Sequence, residues 1–304
     1  MKNRIGQILL TLTFLTLLIG SAIHMHIIPL FVLLAVVIFL SPLIYKLYTE
    51  NELYTLDIKS VLYTALGSIL TFILHKETML SAVSASALIG IIGYFVKKDQ
   101  SLGIYAGSFA GMIGLTFTYP EAIIISVLVG FVYMLSSKSY LGFGGRLGTI
   151  GLTATLIGAF MFNHLYFDAI SLNQNAYLGI IIFGLIGGTL TYFLQHKYNL
   201  SPVLASGIVG LLFALVVPEI FTFGAIYAIV LFQNTFIGMA SKNRISNIFE
   251  AAIASIIGSL LFIVLFPHFQ GLGGKLGTTA MISVLIIYQL KNVIIKRVMP
   301  LKIT

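Results

Sequence analysis

The sequence predicts an all-α polytopic membrane protein, and three observations lead there. Hydrophobic residues fill 59% of the 304 positions and charged residues only 9%, with mean hydropathy +1.05. A soluble domain needs roughly 25% charged residues to cover its surface, so water is not the main solvent of this chain. Apolar runs near the ~20 residues that cross a bilayer recur along the whole length. The basic residues, finally, fall almost entirely on alternate connections between those runs. Cysteine is absent, which removes disulfides, thiolate metal sites and thiol chemistry.

Twelve spans are expected, at 7–23, 27–45, 58–75, 79–96, 102–118, 121–137, 146–163, 176–194, 201–217, 221–240, 247–267 and 277–295. The first follows Met1-Lys2-Asn3-Arg4 in the manner of a signal peptide. His24-Met25-His26 stands where a small-residue cleavage site belongs, so this run is read as a retained helix. Several runs are short, and tilted, re-entrant or broken segments are expected among them. With a cytoplasmic N-terminus and all twelve runs crossing, the inner segments carry Lys2, Arg4, Lys46, Lys59, Lys97, Lys98, Lys138, Arg146, Lys197, Lys242, Arg244, Lys291, Lys296, Arg297 and Lys302. The outer segments carry Lys76 and Lys275. Fifteen of seventeen bases on one side satisfies the positive-inside rule, and one missed span would invert every later assignment. The expectation is a multi-pass protein of the cytoplasmic membrane with both termini inside. The net charge of +8 is then an orientation signal, and nucleic acid is not needed to explain it.

The chain also repeats itself. Leu70-Thr71-Phe72-Ile73-Leu74 matches Leu190-Thr191-Tyr192-Phe193-Leu194 at an offset of 120, and Leu80-Ser81, Ala85-Ser86 and Gly90 match Leu200-Ser201, Ala205-Ser206 and Gly210 at the same offset. Ser108-Phe109-Ala110-Gly111-Met112 then matches Thr235-Phe236-Ile237-Gly238-Met239 at 127. Glu121-Ala122 matches Glu250-Ala251 at 129, and so does Gly142-Phe143-Gly144-Gly145-Arg146-Leu147-Gly148-Thr149 with Gly271-Leu272-Gly273-Gly274-Lys275-Leu276-Gly277-Thr278. Each copy holds five spans, so the second enters the membrane from the opposite side. The expected division is a two-helix extension at 1–57, a first repeat at 58–165 and a second, inverted repeat with the C-terminal tail at 166–304. Inverted repeats of this kind recur in transporters and channels; the alternative is a duplicated scaffold that moves nothing.

Ionisable groups at mid-membrane are functional by default, and here the acids Glu50, Glu52, Asp57, Glu77, Asp99, Glu121, Asp168, Glu219 and Glu250 all fall in loops or at span ends. The six histidines are peripheral too. A midplane proton relay and a transition-metal site are therefore not expected, and no cofactor is. What remains at depth is small and polar. Gly103, Gly107 and Gly111 recur every four residues, as do Gly184 and Gly188. Close helix packing explains such spacing. The alternative is that Gly107-Ser108-Phe109-Ala110-Gly111 and Gln233-Asn234-Thr235-Phe236-Ile237-Gly238 interrupt their helices and expose backbone to a solute. Gly107, Ser108, Gly111, Gln233, Asn234, Thr235 and Gly238 would then line a pathway, with Phe109 and Phe236 as equivalent apolar constrictions.

The motif GxGG[RK]LGT opens the last span of each copy. A cation at a helix N-terminus opposes the helix dipole, and a bound anion would relieve the conflict. Gly145, Arg146, Thr149, Gly274, Lys275 and Thr278 are accordingly the candidate anion site; the alternative makes Arg146 an ordinary topology anchor and Lys275 its inherited echo. The motif lacks the spacing and the preceding strand of a nucleotide loop. Under inversion, Glu121 and Lys275 share the outer face and Glu250 and Arg146 the inner one, which suggests paired gates. Glutamate in a first helical turn is, however, favoured by the dipole alone.

These features point to a channel, facilitator or transporter for a small neutral or anionic solute. The other readings are a sodium-coupled carrier using unwound backbone as ligand, and a non-transporting subunit of a larger complex. An enzyme is not expected, because the spans hold no Ser/His/Asp, HExxH or paired-carboxylate arrangement. Five plus five inverted spans in a compact chain is similar to urea transporters and to the drug/metabolite transporter group. No motif of either occurs, and no residue role follows from the likeness. The expected partners are the lipid bilayer, the solute and, in a homo-oligomer, further copies of the chain.

Overall fold

A computed structural model describes residues 5–23, 57–164 and 172–298. The span expected at 27–45 and most of the two-helix extension lie outside the described residues. Those described are all helical, without a strand. Eleven α-helices follow one another: α1 Ile5–Ile23, α2 Ile58–Glu77, α3 Ala82–Val96, α4 Ser101–Ala110, α5 Tyr119–Ser136, α6 Arg146–Met161, α7 Tyr177–Lys197, α8 Pro202–Ile220, α9 Gly224–Gly238, α10 Ile248–Leu265 and α11 Lys275–Val298. Six helical segments are long and apolar enough to cross a membrane: Ile58–Glu77, Tyr119–Ser136, Gln174–Lys197, Pro202–Ile220, Ile248–Leu265 and Lys275–Ile294.

The starts of these helices are written in the sequence. Asp57, Ser81, Ser201 and Asn247 each accept a hydrogen bond from a first-turn N–H, the arrangement that satisfies an orphan donor. Thr118 and Glu121 form a reciprocal capping box at the head of α5. Pro120 and Pro202 sit in first turns, where the missing N–H costs nothing.

Packing is laid out twice. α2 lies against α3, α4 and α5, and α7 lies against α8, α9 and α10. α4 reaches α6 as α9 reaches α11. The two sets meet where α3 packs on α8 and where α6 packs on α11. Individual contacts correspond as well. A Cβ on Gly90 would strike the Tyr105 ring and one on Gly210 the Phe232 ring; Gly67 abuts Ile104 O and Gly187 abuts Leu231 O. α1 packs on α5 and α6, outside this scheme.

Four helices are short. α4 has ten residues, about 15 Å of rise, half the ~30 Å hydrocarbon thickness. It ends where the loop before α11 begins: a Cβ on Gly273 would lie 2.4 Å from Phe109 O. The counterpart holds at the other end, with Gly144 against Phe236 O at 2.3 Å. The non-helical segments cross in pairs. Gly114 N–H donates to Gly271 O and Ser241 N–H to Gly142 O, each at 2.9 Å. α6 and α11 start beside each other, a Cβ on Gly148 or Gly277 falling 2.5 Å from the other's Cα. Glycine is required there because two backbones touch.

Candidate solute pathway

Four aromatic rings from α4 and α9 form one buried cluster. Phe109 and Phe236 stand 4.7 Å apart between centroids; Tyr105 lies 4.4 Å from Phe109, and Phe232 lies 4.7 Å from Phe236. All four are at most 2% exposed. Tyr105 and Phe109 come from α4, Phe232 and Phe236 from α9, one helical turn apart in each case, so each helix presents both rings on one face. Behind them run hydroxyl pairs, Ser86 with Ser108 at 2.9 Å and Ser206 with Thr235 at 2.8 Å. Tyr105 alone among the four rings has a hydroxyl, and it bonds Ser206 at 2.9 Å.

A cavity of about 210 Å³ ends on this ring block. Phe109 and Phe236 line it, together with the loop Leu141–Arg146, Gln195, Met239 and Ser241. Its wall is mainly apolar, with Arg146 the cation among its lining residues. Loops 141–146 and 239–241, Gln195 and Leu102 belong to or adjoin segments that the charge pattern puts on one side. Contacts at the opposite end likewise join segments assigned to the other side: Lys76 Nζ donates to Phe117 O at 2.8 Å, and Glu121 meets His164 at 3.4 Å.

The structure distributes the remaining sequence-derived candidates differently. Helices α4 and α9 run unbroken through Gly107–Ala110 and Gln233–Gly238, so the expected interruptions fall at their C-terminal ends. Gly107, Gly111 and Gly238 serve close packing, since a Cβ on each would come within 2.6 Å of Thr64 O, Ser68 O or Gly188 O. Ser108 and Thr235 are wholly buried behind the rings. Asn234 donates to Ser255 O at 2.8 Å and Ser259 Oγ at 3.0 Å, and Gln233 to Gly258 O at 2.9 Å. Both amides therefore tie α9 to α10 and do not line the cavity.

Arg146 and Lys275 resolve their conflict with the helix dipole by turning backward. Arg146 Nη1 donates to Ser137 O at 2.6 Å and Ser139 O at 3.2 Å, just past the end of α5. Lys275 Nζ donates to Phe266 O at 2.8 Å and His268 O at 2.6 Å, just past the end of α10. Helix C-termini carry partial negative charge and free carbonyls, so each cation completes the preceding helix. Gly145 and Gly274, both at φ +83°, make the turn in a conformation that glycine adopts without steric cost. Thr149 and Thr278 each donate to the carbonyl four residues back, at 3.4 Å.

The gate pairs expected from inversion are not the pairs formed. Glu121 accepts from Thr118 N–H and meets His164; Glu250 accepts from Ser246 N–H and pairs with Lys291 at 2.8 Å. Capping drew both acids to their own helix starts, and the cations had carbonyl partners nearer at hand. Reasoning from sequence missed Tyr105, Phe232, Gln195 and Ser241. The two rings were within reach, because they lie four residues before Phe109 and Phe236; Gln195 carried no such signal. No family model, curated protein or solved structure matches the chain.

Proposed function

We propose that the chain is a membrane facilitator or transporter for a small neutral or anionic solute. Its route runs along the interface of two five-helix halves that insert in opposite orientations. The observation that carries this reading is the cavity ending on Phe109 and Phe236. A cavity whose lining includes one ring from each half, Phe109 and Phe236, suits a closed permeation path. Apolar constrictions of this kind gate by excluding water.

The duplicated packing supports inverted halves. Five helices per unit is an odd number, so successive units face opposite ways, the arrangement in which both faces of the membrane meet a similar pathway. The bias of fifteen bases to two supports a cytoplasmic location for the end that holds the cavity and for both termini. The absence of acids from the predicted span interiors favours passive or weakly coupled movement over proton drive.

Reconstitution tests the reading. Proteoliposomes containing the chain are expected to take up at least one member of a panel of small anions and neutral solutes faster than empty liposomes. Phe109→Ala and Phe236→Ala, which shrink the ring block, are expected to raise that flux by about tenfold, on the order of 1.4 kcal/mol off the barrier. A folded protein with no flux for any solute, in wild type and in both variants, would remove the transport reading and favour a subunit whose partner carries the activity.

A further inference from the structure

Three hydroxyls beside the rings form a chain with one direction. Thr235 Oγ1 donates its single proton to Phe232 O at 2.7 Å, so toward Ser206, at 2.8 Å, it acts as the acceptor. Ser206 has then spent its own proton, and the Tyr105 hydroxyl, 2.9 Å away, is the donor to it. The order Tyr105, Ser206, Thr235, Phe232 O runs from α4 through α8 into α9. It ties a ring of the first set of helices to the backbone that carries the rings of the second. Tyr105, Ser206 and Thr235 are all 0% exposed, and burial strengthens such a chain.

The duplicate of this chain stops one member short. Ser108 donates to Tyr105 O at 2.8 Å, so Ser86 donates to Ser108, at 2.9 Å, and keeps an acceptor lone pair. The rings are seated alike. A Cβ on Gly90, one turn beyond Ser86 in α3, would meet Tyr105 Cδ2 at 2.5 Å; one on Gly210, one turn beyond Ser206 in α8, would meet Phe232 Cδ2 at 2.4 Å. Position 232 has no hydroxyl to offer Ser86. The Tyr105/Phe109 pair thus has a polar tie across the two sets, and the Phe232/Phe236 pair has packing without such a tie.

We propose that Tyr105 is a positioning residue for the ring block, and that its bond to Ser206 is the latch that keeps the block closed. Phe109 stands between the Tyr105 ring at 4.4 Å and the Phe236 ring at 4.7 Å, so a fixed Tyr105 backs Phe109 against Phe236. Release of the bond lets the first ring pair withdraw from the second. This assignment rests on the solute-pathway reading, in which Phe109 and Phe236 end the cavity.

Two readouts on the full chain separate the latch from the pathway. The protein has no cysteine, so Ser108→Cys supplies a single thiol behind the rings. Its rate of modification by a small methanethiosulfonate in detergent reports how often the block opens. In that background Tyr105→Phe or Ser206→Ala is expected to raise the rate about three- to tenfold, the worth of one net hydrogen bond. The two changes together are expected to add little more, because either one removes the same bond. Phe232→Tyr, which brings a donor to Ser86 by the same correspondence, is expected to slow labelling about threefold. Solute flux in proteoliposomes is expected to follow the same order. Unchanged or slower labelling in folded Tyr105→Phe and Ser206→Ala would overturn the latch, and if Phe232→Tyr does not fold, those two variants decide. Faster labelling with no flux of any solute, Phe109→Ala included, would strike the pathway reading and leave the latch. Flux raised by Phe109→Ala, with labelling unchanged by Tyr105→Phe, would do the reverse.

Discussion

Arg146 and Lys275 are cations held inside an apolar bundle without a carboxylate partner among the described residues. Each is 6–7% exposed and each donates to two carbonyls beyond the end of the preceding helix. Charge-assisted hydrogen bonds are worth about 1.5–3 kcal/mol, and an orphaned buried acceptor costs about 1–3 kcal/mol. Lys275→Met is therefore expected to lower stability by about 2–4 kcal/mol, while Lys275→Arg retains most of it; unfolding of the purified protein in detergent, followed by circular dichroism, checks the order. Tyr105 is the other informative residue, because its hydroxyl has no counterpart on Phe232. Tyr105→Phe is expected to cost only about 0.5–1.5 kcal/mol, since Ser206 keeps Thr235 at 2.8 Å. A loss several times larger in the same measurement would show that the hydroxyl does more than tie one ring.

At the scale of elements, the crossing of α6 and α11 is the tightest joint between the two halves. Gly148 and Gly277 meet backbone to backbone, 2.5 Å from a Cβ on either to the Cα of the other. Gly148→Ala or Gly277→Ala forces the helices apart, and overpacking of this kind costs about 1–3 kcal/mol. Because the crossing lies beside Gly145, whose carbonyl a Cβ on Gly277 would meet at 3.0 Å, the same substitutions are expected to alter flux more than an equal loss of stability elsewhere. Uptake compared with that of Gly67→Ala, which disturbs packing of α2 on α4, tests the difference. The capped helix starts and the proline positions were legible from local chemistry. The broken segments were legible only as regions: the glycine spacing marked 107–111 and 233–238, yet the helices end there because α4 and α9 meet the opposite half's loop at Gly273 and Gly144.

For the whole molecule, the absence of cysteine makes orientation directly measurable. Thr116→Cys and Lys242→Cys place single thiols at exposed positions at opposite ends of the bundle. In right-side-out vesicles, a membrane-impermeant maleimide is expected to label Thr116→Cys and to reach Lys242→Cys only after permeabilisation. The reverse pattern would invert the topology and put the cavity on the outer face.

The one-dimensional sequence was enough to indicate a helical chain with apolar spans and the alternation of its charges, and to suggest a second half that repeats the first. Those properties depend on composition and on order along the chain. Which duplicated residues face one another depends on how two copies fold together, and only the tertiary structure decided that. Arg146 and Lys275 each looked like part of a candidate anion site while read in line; folded, each turns to carbonyls at the end of the preceding helix. Phe109 and Phe236, 127 residues apart, became one ring contact because the C-terminal turns of α4 and α9 come together in the fold. Gln195 joined the cavity wall through the same closure, since the space it lines exists only between elements.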